Sequence, residues 1–376
     1  LTASFNVTLS NMDFNFNVPV VHKWTDPVKG ELYRALEICP PAIISFPKSI
    51  YVFTGILPKK IYVNIKAQQD SVHGKIKIAG KLPFRIVPDQ LPVTLFNKGD
   101  EQKFEFTAIP DSNISSGRYE IGAVLLSSSD KLISNSTIAQ ISYDHIPFQS
   151  LFPEAAAHFV YADIKTKGKF IGYIEGAGDD VSSALKQIGY EVVMLTDEMI
   201  ESESLNQYDA VITGVRAFNT NKKLPGFRKK LLDYVNNGGN LIVQYNTNNF
   251  VGRFTSDIGP YPFKISRDRV TDEAAPVEFI SPNHPLLNFP NKITSADFDG
   301  WIQERGLYFP AEIDSNYQTI IRCSDPGEKP LDNAIITCKF GKGNFVYSSL
   351  SFFRELPAGV PGAYRLFANM ISLGRK

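Results

Sequence analysis

Hydrophobic and polar positions follow two different rhythms along the chain. Up to about residue 147 they alternate with period two. Ser49-Ile50-Tyr51-Val52-Phe53, Lys60-Ile61-Tyr62-Val63-Asn64-Ile65, Lys75-Ile76-Lys77-Ile78 and Lys103-Phe104-Glu105-Phe106 each place every second residue on an apolar face. Period two predicts half-buried strands. Turn clusters such as Asn97-Lys98-Gly99-Asp100 separate the runs, and Ser116-Gly117-Arg118-Tyr119 leads into a late strand, Ile121-Gly122-Ala123-Val124-Leu125. Short strands at this spacing predict an immunoglobulin-like β-sandwich over 41–147. Residues 1–40 fit that unit poorly and read as the tail of a preceding β-domain plus a connector. Leu1 opens in mid-alternation, without initiator Met or signal peptide, so a fragment of a longer protein is expected.

After an apolar, non-alternating stretch over 148–166, expected to be a packed linker, the rhythm becomes β-α-β. Lys169-Phe170-Ile171-Gly172-Tyr173-Ile174, Glu191-Val192-Val193-Met194-Leu195, Tyr208-Asp209-Ala210-Val211-Ile212-Thr213 and Asn240-Leu241-Ile242-Val243-Gln244 read as strands. Helices are expected over 179–188, 227–235 and 362–373. The stretch 246–276 reads as an insertion. A hairpin around Phe340-Gly341-Lys342-Gly343 joins two later strands. Apolar strands interleaved with amphipathic helices predict a doubly wound α/β domain over 167–376.

Composition narrows the chemistry. Of 376 residues, 39 are Lys or Arg and 39 Asp or Glu, so the formal net charge is zero. This excludes the basic excess of a nucleic-acid binder or a polybasic membrane anchor, and no apolar run reaches the length of a membrane span. Three scattered cysteines, Cys39, Cys323 and Cys338, exclude a disulfide-dense scaffold. The five histidines lack ligand spacing, so neither a metal nor a cofactor is expected. Arginine is unevenly spread: three of thirteen, Arg34, Arg85 and Arg118, precede residue 148. The planar guanidinium fork suits recognition, so the site is expected in the second part.

Open α/β sheets bind ligands at the C-terminal ends of their strands. There the sequence places Glu175, then Arg216 and Asn219, then Gln244, Tyr245 and Asn246. Arg267 and Arg269, together with Trp301, Gln303 and Arg305, add forks and amides, and Arg354 follows a late strand. Such groups suit a neutral or acidic sugar-like ligand; the competing reading is a buried polar network that tethers the insertion. His284 is the candidate acid or base, with Asp299 and Glu304 as a candidate carboxylate pair. The G-x-G of Glu175-Gly176-Ala177-Gly178-Asp179-Asp180 lacks the third glycine of a dinucleotide fingerprint and reads as a tight turn with an Asp cap.

Over about 168–373 the chain resembles the class I glutamine amidotransferase-like superfamily, in its trehalose-utilisation-type branch. The residues that carry this are Tyr208-Asp209-Ala210-Val211-Ile212, Asn237-Gly238-Gly239-Asn240-Leu241-Ile242-Val243, His284-Pro285-Leu286 and Phe340-Gly341-Lys342-Gly343-Asn344-Phe345-Val346-Tyr347. Glutaminases of that superfamily carry a Cys after a central strand. Here the strand ends in Gln244-Tyr245-Asn246, so no glutaminase activity is expected.

Almost the whole chain is similar to the C-terminal region of bacterial N-acetylglucosaminyl-phosphatidylinositol deacetylase (LmbE-like) proteins. The stretches are Ile141-Ser142-Tyr143-Asp144-His145-Ile146-Pro147-Phe148-Gln149, Gly259-Pro260-Tyr261-Pro262-Phe263, Gly300-Trp301-Ile302-Gln303-Glu304-Arg305-Gly306-Leu307-Tyr308 and Leu356-Pro357-Ala358-Gly359-Val360-Pro361-Gly362-Ala363-Tyr364-Arg365. The resemblance implies an upstream zinc deacetylase domain as partner, export from the cytoplasm and carbohydrate-related work. The expected function is a non-catalytic accessory region that binds a glycan or amino sugar or docks on that domain. The alternative is a sugar-active hydrolase or isomerase using acid–base residues at the rim.

Overall fold

A computed structural model describes residues 1–248 and 257–374. The protein is β-rich and multi-domain. Contacts divide it into one unit of Leu1–Ser49, Ile56–Ile114 and Arg118–Phe159, and another of Ile50–Gly55, Ser115–Gly117 and Val160–Lys376. Among the described residues no helix is long and apolar enough to cross a membrane.

Two larger sheets make up most of the first unit. One runs Ala42–Ser45, Lys59–Ala67, Glu101–Pro110, Phe84–Val87. In the other, Gln90–Leu95, Val72–Ala79, Gly117–Leu126 and Ala156–Tyr161 are successive neighbours. The alternation lands as its period requires: Ile61, Val63, Ile65, Phe104, Phe106, Ile76, Ile121 and Leu125 are buried, with polar residues between them facing out. The stretch expected as a linker over 148–166 instead contributes strands, Gln149–Leu151 and Ala156–Tyr161, because Ala157 and Phe159 alternate into the apolar interior.

Residues 1–36 form two hairpins. Thr2–Leu9 pairs with Met12–Pro19 across Ser10-Asn11, both in the left-handed region that a two-residue hairpin turn demands. Register sorts this hairpin completely. Ala3/Val18, Phe5/Phe16, Val7/Phe14 and Leu9/Met12 share one face. The other face carries cross-strand hydrogen bonds, from Ser4 Oγ to Asn17 Oδ1 at 2.5 Å and from Asn15 Nδ2 to Asn6 Oδ1 at 2.7 Å. The second hairpin pairs Val21–Asp26 with Gly30–Ala35.

The second unit is built on one mixed sheet. Its strands are β1 (Phe170–Ile174), β2 (Glu191–Met194), β3 (Ala210–Thr213), β4 (Asn240–Gln244), β5 (Val277–Phe279), β6 (Gln318–Cys323), β7 (Leu331–Phe340) and β8 (Gly343–Ser348). They lie in the order β2-β1-β3-β4-β8-β7-β6-β5. The first five in that order are parallel. The other three add antiparallel, so the sheet is not parallel throughout. The tight turn at Gly341-Lys342 leaves β7 no other option, since a parallel return needs a crossover of a dozen or more residues. The insertion over 246–276 is only partly within the described residues. There it forms two-residue strands, Lys264–Ile265 and Arg269–Val270, paired with Pro310–Ala311 and Gly306–Leu307.

Successive side chains of each central strand enter opposite cores. Ile171, Tyr173, Ile212, Ile242 and Val346 pack with α1 (Val181–Gln187), α6 (Phe352–Ala358) and α7 (Pro361–Ile371). Ile174, Val211, Leu241, Val243, Phe345 and Tyr347 pack with α2 (Asp197–Ser202) and α4 (Arg228–Asn236). Apolar residues at every strand position therefore follow from burial on both faces. Two short helices complete the unit, α3 (Ala217–Thr220) and α5 (Pro285–Asn288).

Candidate functional site at the strand tips

Registers of Ile174 with Thr213, Thr213 with Val243 and Gln244 with Ser348 bring the C-terminal ends of β1, β3, β4 and β8 level. Two glycines let the first two tips meet. A Cβ on Gly176 would lie 2.1 Å from Val215 O, and one on Gly214 2.7 Å from Gly176 N. Asp179 locks this contact. Its Oδ1 accepts from Tyr173 Oη (2.5 Å) and Val181 N (3.1 Å), and its Oδ2 accepts from Val215 N (3.1 Å). The G-x-G is thus a turn with an Asp anchor. Gln244 Nε2 donates to Tyr173 Oη at 3.1 Å and to Thr213 O at 3.3 Å.

Arg216 follows β3 in the left-handed region, at φ 58°. Its main-chain N–H donates to Tyr245 O at 2.8 Å, and its side-chain Nε is buried without a partner among the described residues. Tyr308 is also left-handed, at φ 55°, and its ring stacks on Tyr245 with centroids 5.7 Å apart and planes at 17°. Bulky residues adopt this conformation at a cost of order 1–3 kcal/mol each, and such strain collects at functional sites. Phe353 meets Tyr245 edge-on at 5.5 Å, and the Arg354 guanidinium lies 4.8 Å from the Phe353 centroid. Burial pushes the Tyr245 phenol up to about 12; nearby Arg216 opposes this and Glu304 adds to it. One locus therefore gathers Arg216, Tyr245, Glu304, Tyr308 and Arg354.

At and just after the strand ends, and in the 301–305 loop and α6, are buried polar atoms that the described protein does not satisfy: Thr213 Oγ1, Gln244 Oε1, Gln303 Oε1, Ser349 Oγ, Ser351 Oγ and Glu355 Oε1. Buried polar atoms without partners are few in folded proteins, and a polar ligand or ordered water is their usual complement. Glu355 is fully buried, and burial pushes its carboxyl up to about 7 although the backbone N–H groups of Ile302 and Gln303 favour the charged form.

The remaining expected site residues divide differently. Asn219 and Asn246 are on the rim but serve as clamps. Asn219 Oδ1 accepts from Thr247 N (2.8 Å) while its Nδ2 donates to Thr247 O (3.0 Å). Asn246 Oδ1 accepts from Phe218 N (3.0 Å). Glu175 is exposed at the tip of β1. Trp301 and Arg305 do not reach the rim: both are buried. Trp301 stacks on Phe298 and donates Nε1–H to Asp297 O at 3.1 Å. Arg305 donates Nε–H to Ala275 O at 3.0 Å and Nη1–H to Phe298 O at 2.7 Å. Arg305 ties the end of the insertion, at Ala275, to Phe298, with Trp301 packed beside its guanidinium. Arg267 and Arg269 line a separate cleft of about 710 Å³ with Asp325 and Asp332. Asp299 is exposed, with its main-chain N–H on Ala296 O.

His284 caps α5, its Nδ1 accepting from Leu286 N at 3.1 Å, and burial lowers its pKa. It lines a cavity with Asn344, at the start of β8, so it stands at the opposite end of the sheet from Arg216 and Glu304. It is not an acid or base of that rim. Tyr308, Ser349, Ser351 and Glu355 were not singled out from the sequence. The polar run Ser348-Ser349-Leu350-Ser351 after an apolar strand is the same signal that identified Gln244-Tyr245-Asn246.

Among the described residues no three His, Cys, Asp or Glu side chains gather as a metal site. Cys323 and Cys338 are buried, and burial pushes both thiols up to about 12.

No known family model matches the chain, and no curated protein matches it. Among solved structures it is similar to a family 123 glycoside hydrolase from Clostridium perfringens, at 10% identity over 54% of this chain and 37% of that one, TM-score 0.20. It is also similar to CaCohA2 from Clostridium acetobutylicum, at 13% identity over 32% and 90%, TM-score 0.18. A beta-glucosidase from Kluyveromyces marxianus overlaps at 12% identity over 33% and 15%, TM-score 0.17. The chain spans well under half the length of either glycosidase, and overlaps this loose carry no argument about fold or function.

Proposed function

We propose that this chain is a non-catalytic accessory region of a larger, exported, amino-sugar deacetylase-like protein. In this reading the first unit is an immunoglobulin-like sandwich. The second is a flavodoxin-like, amidotransferase-like domain that has no nucleophile and binds a glycan or amino sugar at its strand tips, or docks there on an upstream deacetylase domain. The parallel order β2-β1-β3-β4-β8 supports the domain assignment, since it is the doubly wound order with its ligand crevice at the strand C-termini.

The observation that carries the binding role is the strained elbow after β3. A nucleophile elbow presents a reactive side chain on a left-handed residue between strand and helix. Here that residue is Arg216, set beside the Tyr245–Tyr308 stack. Arginine recognises; it does not attack. The buried, high-pKa thiols of Cys323 and Cys338 support the same conclusion. A hydrolase or isomerase at the rim would draw on His284 with Asp299 or Glu304, but His284 is at the other end of the sheet.

Calorimetric titration with glucosamine, N-acetylglucosamine and short chito-oligosaccharides tests the proposal. At least one ligand is expected to bind. Arg216→Asn, which tolerates the left-handed backbone, is expected to weaken it about tenfold, worth about 1.4 kcal/mol. Absence of heat with every sugar, or binding indifferent to Arg216→Asn and Tyr308→Asn, sinks the sugar-binding role.

A further inference from the structure

The opposite edge of the same sheet, where the parallel strands begin, carries a second concave surface. A cavity of about 660 Å³ there lies within the size range of small-molecule sites. Its lining includes His284, Phe289, Gln318, Lys339 and Asn344. A cleft of about 650 Å³ continues it past Asn283 and Thr319, sharing His284, Pro285 and Gln318 as a common wall.

Three groups give this groove its chemistry. Asn344 is only 7% exposed, and its side-chain amide makes no hydrogen bond among the described residues although its backbone is paired in the sheet. A side chain at residue 374 would crowd it: a Cβ on Gly374 would lie 2.7 Å from Asn344 Nδ2. His284 has a defined tautomer by geometry. Its Nδ1 accepts the Leu286 N–H, so in the neutral ring Nε2 carries the proton and is a donor. Gln318 is exposed on the shared wall and adds a second amide.

We propose that this groove, built on Asn344, Gln318 and His284, binds a neutral, hydroxyl-rich ligand of the oligosaccharide class, independently of the strand-tip site. Side-chain amides present a donor beside an acceptor, as vicinal sugar hydroxyls do. Among the described residues neither lining contains a carboxylate, and Lys339 is their one formal charge. That disfavours cationic ligands and gives an anion a single counter-charge. The paired cavities suit more than one sugar unit, and Phe289 supplies an apolar ring for a sugar face.

Saturation-transfer NMR on the full chain, with maltotriose, cellotriose and a neutral tripeptide as probes, none of them an amino sugar of the kind assigned to the strand tips, decides this. At least one oligosaccharide should give a signal. Gln318→Ala, at an exposed position, should weaken its binding roughly fivefold, the worth of one hydrogen bond. Asn344→Leu should abolish it, with a melting curve to confirm that this variant folds. Arg216→Asn should leave it unchanged, which separates this groove from the strand-tip site. No saccharide signal, a signal unmoved by both groove variants, a signal removed by Arg216→Asn, or a signal from the tripeptide alone would each overturn the proposal.

Discussion

Replacing Arg305 by Ala is expected to destabilise the second unit by about 4 kcal/mol and lower its melting temperature by on the order of 10 °C. Arg305 is only 3% exposed, and it forms no ion pair among the described residues. Its guanidinium is held by Ala275 O and Phe298 O and lies 5.6 Å and 5.3 Å from the ring centroids of Phe298 and Trp301. Each hydrogen bond from a charged donor contributes roughly 1.5–3 kcal/mol, and the ring contacts roughly 1 kcal/mol more. Burial works against the charge and lowers the arginine's pKa, which trims the total. Truncation also leaves two buried carbonyls unpaired. Arg305→Lys should recover only part of the loss, because a single ammonium cannot span both carbonyls. Thermal denaturation checks this, with Arg216→Asn as the contrasting variant, expected to melt close to the parent. A loss below about 1 kcal/mol for Arg305→Ala would contradict its role as the tether.

Glu355→Gln is expected to raise stability at pH 8 by about 3 kcal/mol and to change little near pH 4. Burial holds the Glu355 carboxyl at about 7 against an ordinary 4.5. Below the ordinary value both folded and unfolded chains carry the proton. Between about 4.5 and 7 the unfolded chain releases it while the folded chain retains it, so rising pH removes stability. Above about 7 the loss is complete. An amide oxygen can still accept the Ile302 N–H, now at 3.0 Å from Glu355 Oε2, without the cost of burying a charge. Denaturant unfolding at pH 5 and pH 8 measures the gap. A difference between parent and variant that stays constant across this range would rule out the buried, neutral carboxyl.

The sequence exposed the strands of both units because period two and continuous apolar runs are local properties. The Ile61-Val63-Ile65 and Phe104-Phe106 alternations fold as they read. The strand-tip rule also located Arg216, Asn219, Gln244, Tyr245 and Asn246, since a tip follows directly from the strand before it. What stayed hidden depends on tertiary placement. Arg305 and Trp301 have the chemistry of ligand contacts, and only the carbonyls and rings folded around them show that Arg305 holds the insertion at Ala275 while Trp301 packs in the core. His284 goes where α5 packs against α7, through Asn369 Nδ2 donating to Leu286 O at 2.9 Å. β6 was missed because Gln318-Thr319-Ile320-Ile321-Arg322-Cys323 alternates poorly, and its pairing with β7 shifts register twice. The left-handed backbones of Arg216 and Tyr308 had no signal, since bulky residues rarely adopt them.

The proposed role of the strand tips is recognition rather than nucleophilic chemistry. Amide chemical-shift mapping during titration with an amino sugar or chito-oligosaccharide tests it most directly. Shifts are expected to concentrate at 214–219, 245–248 and 304–308, all reduced in Arg216→Asn. No saturable shift with any sugar, or shifts confined to residues away from these tips, would contradict it.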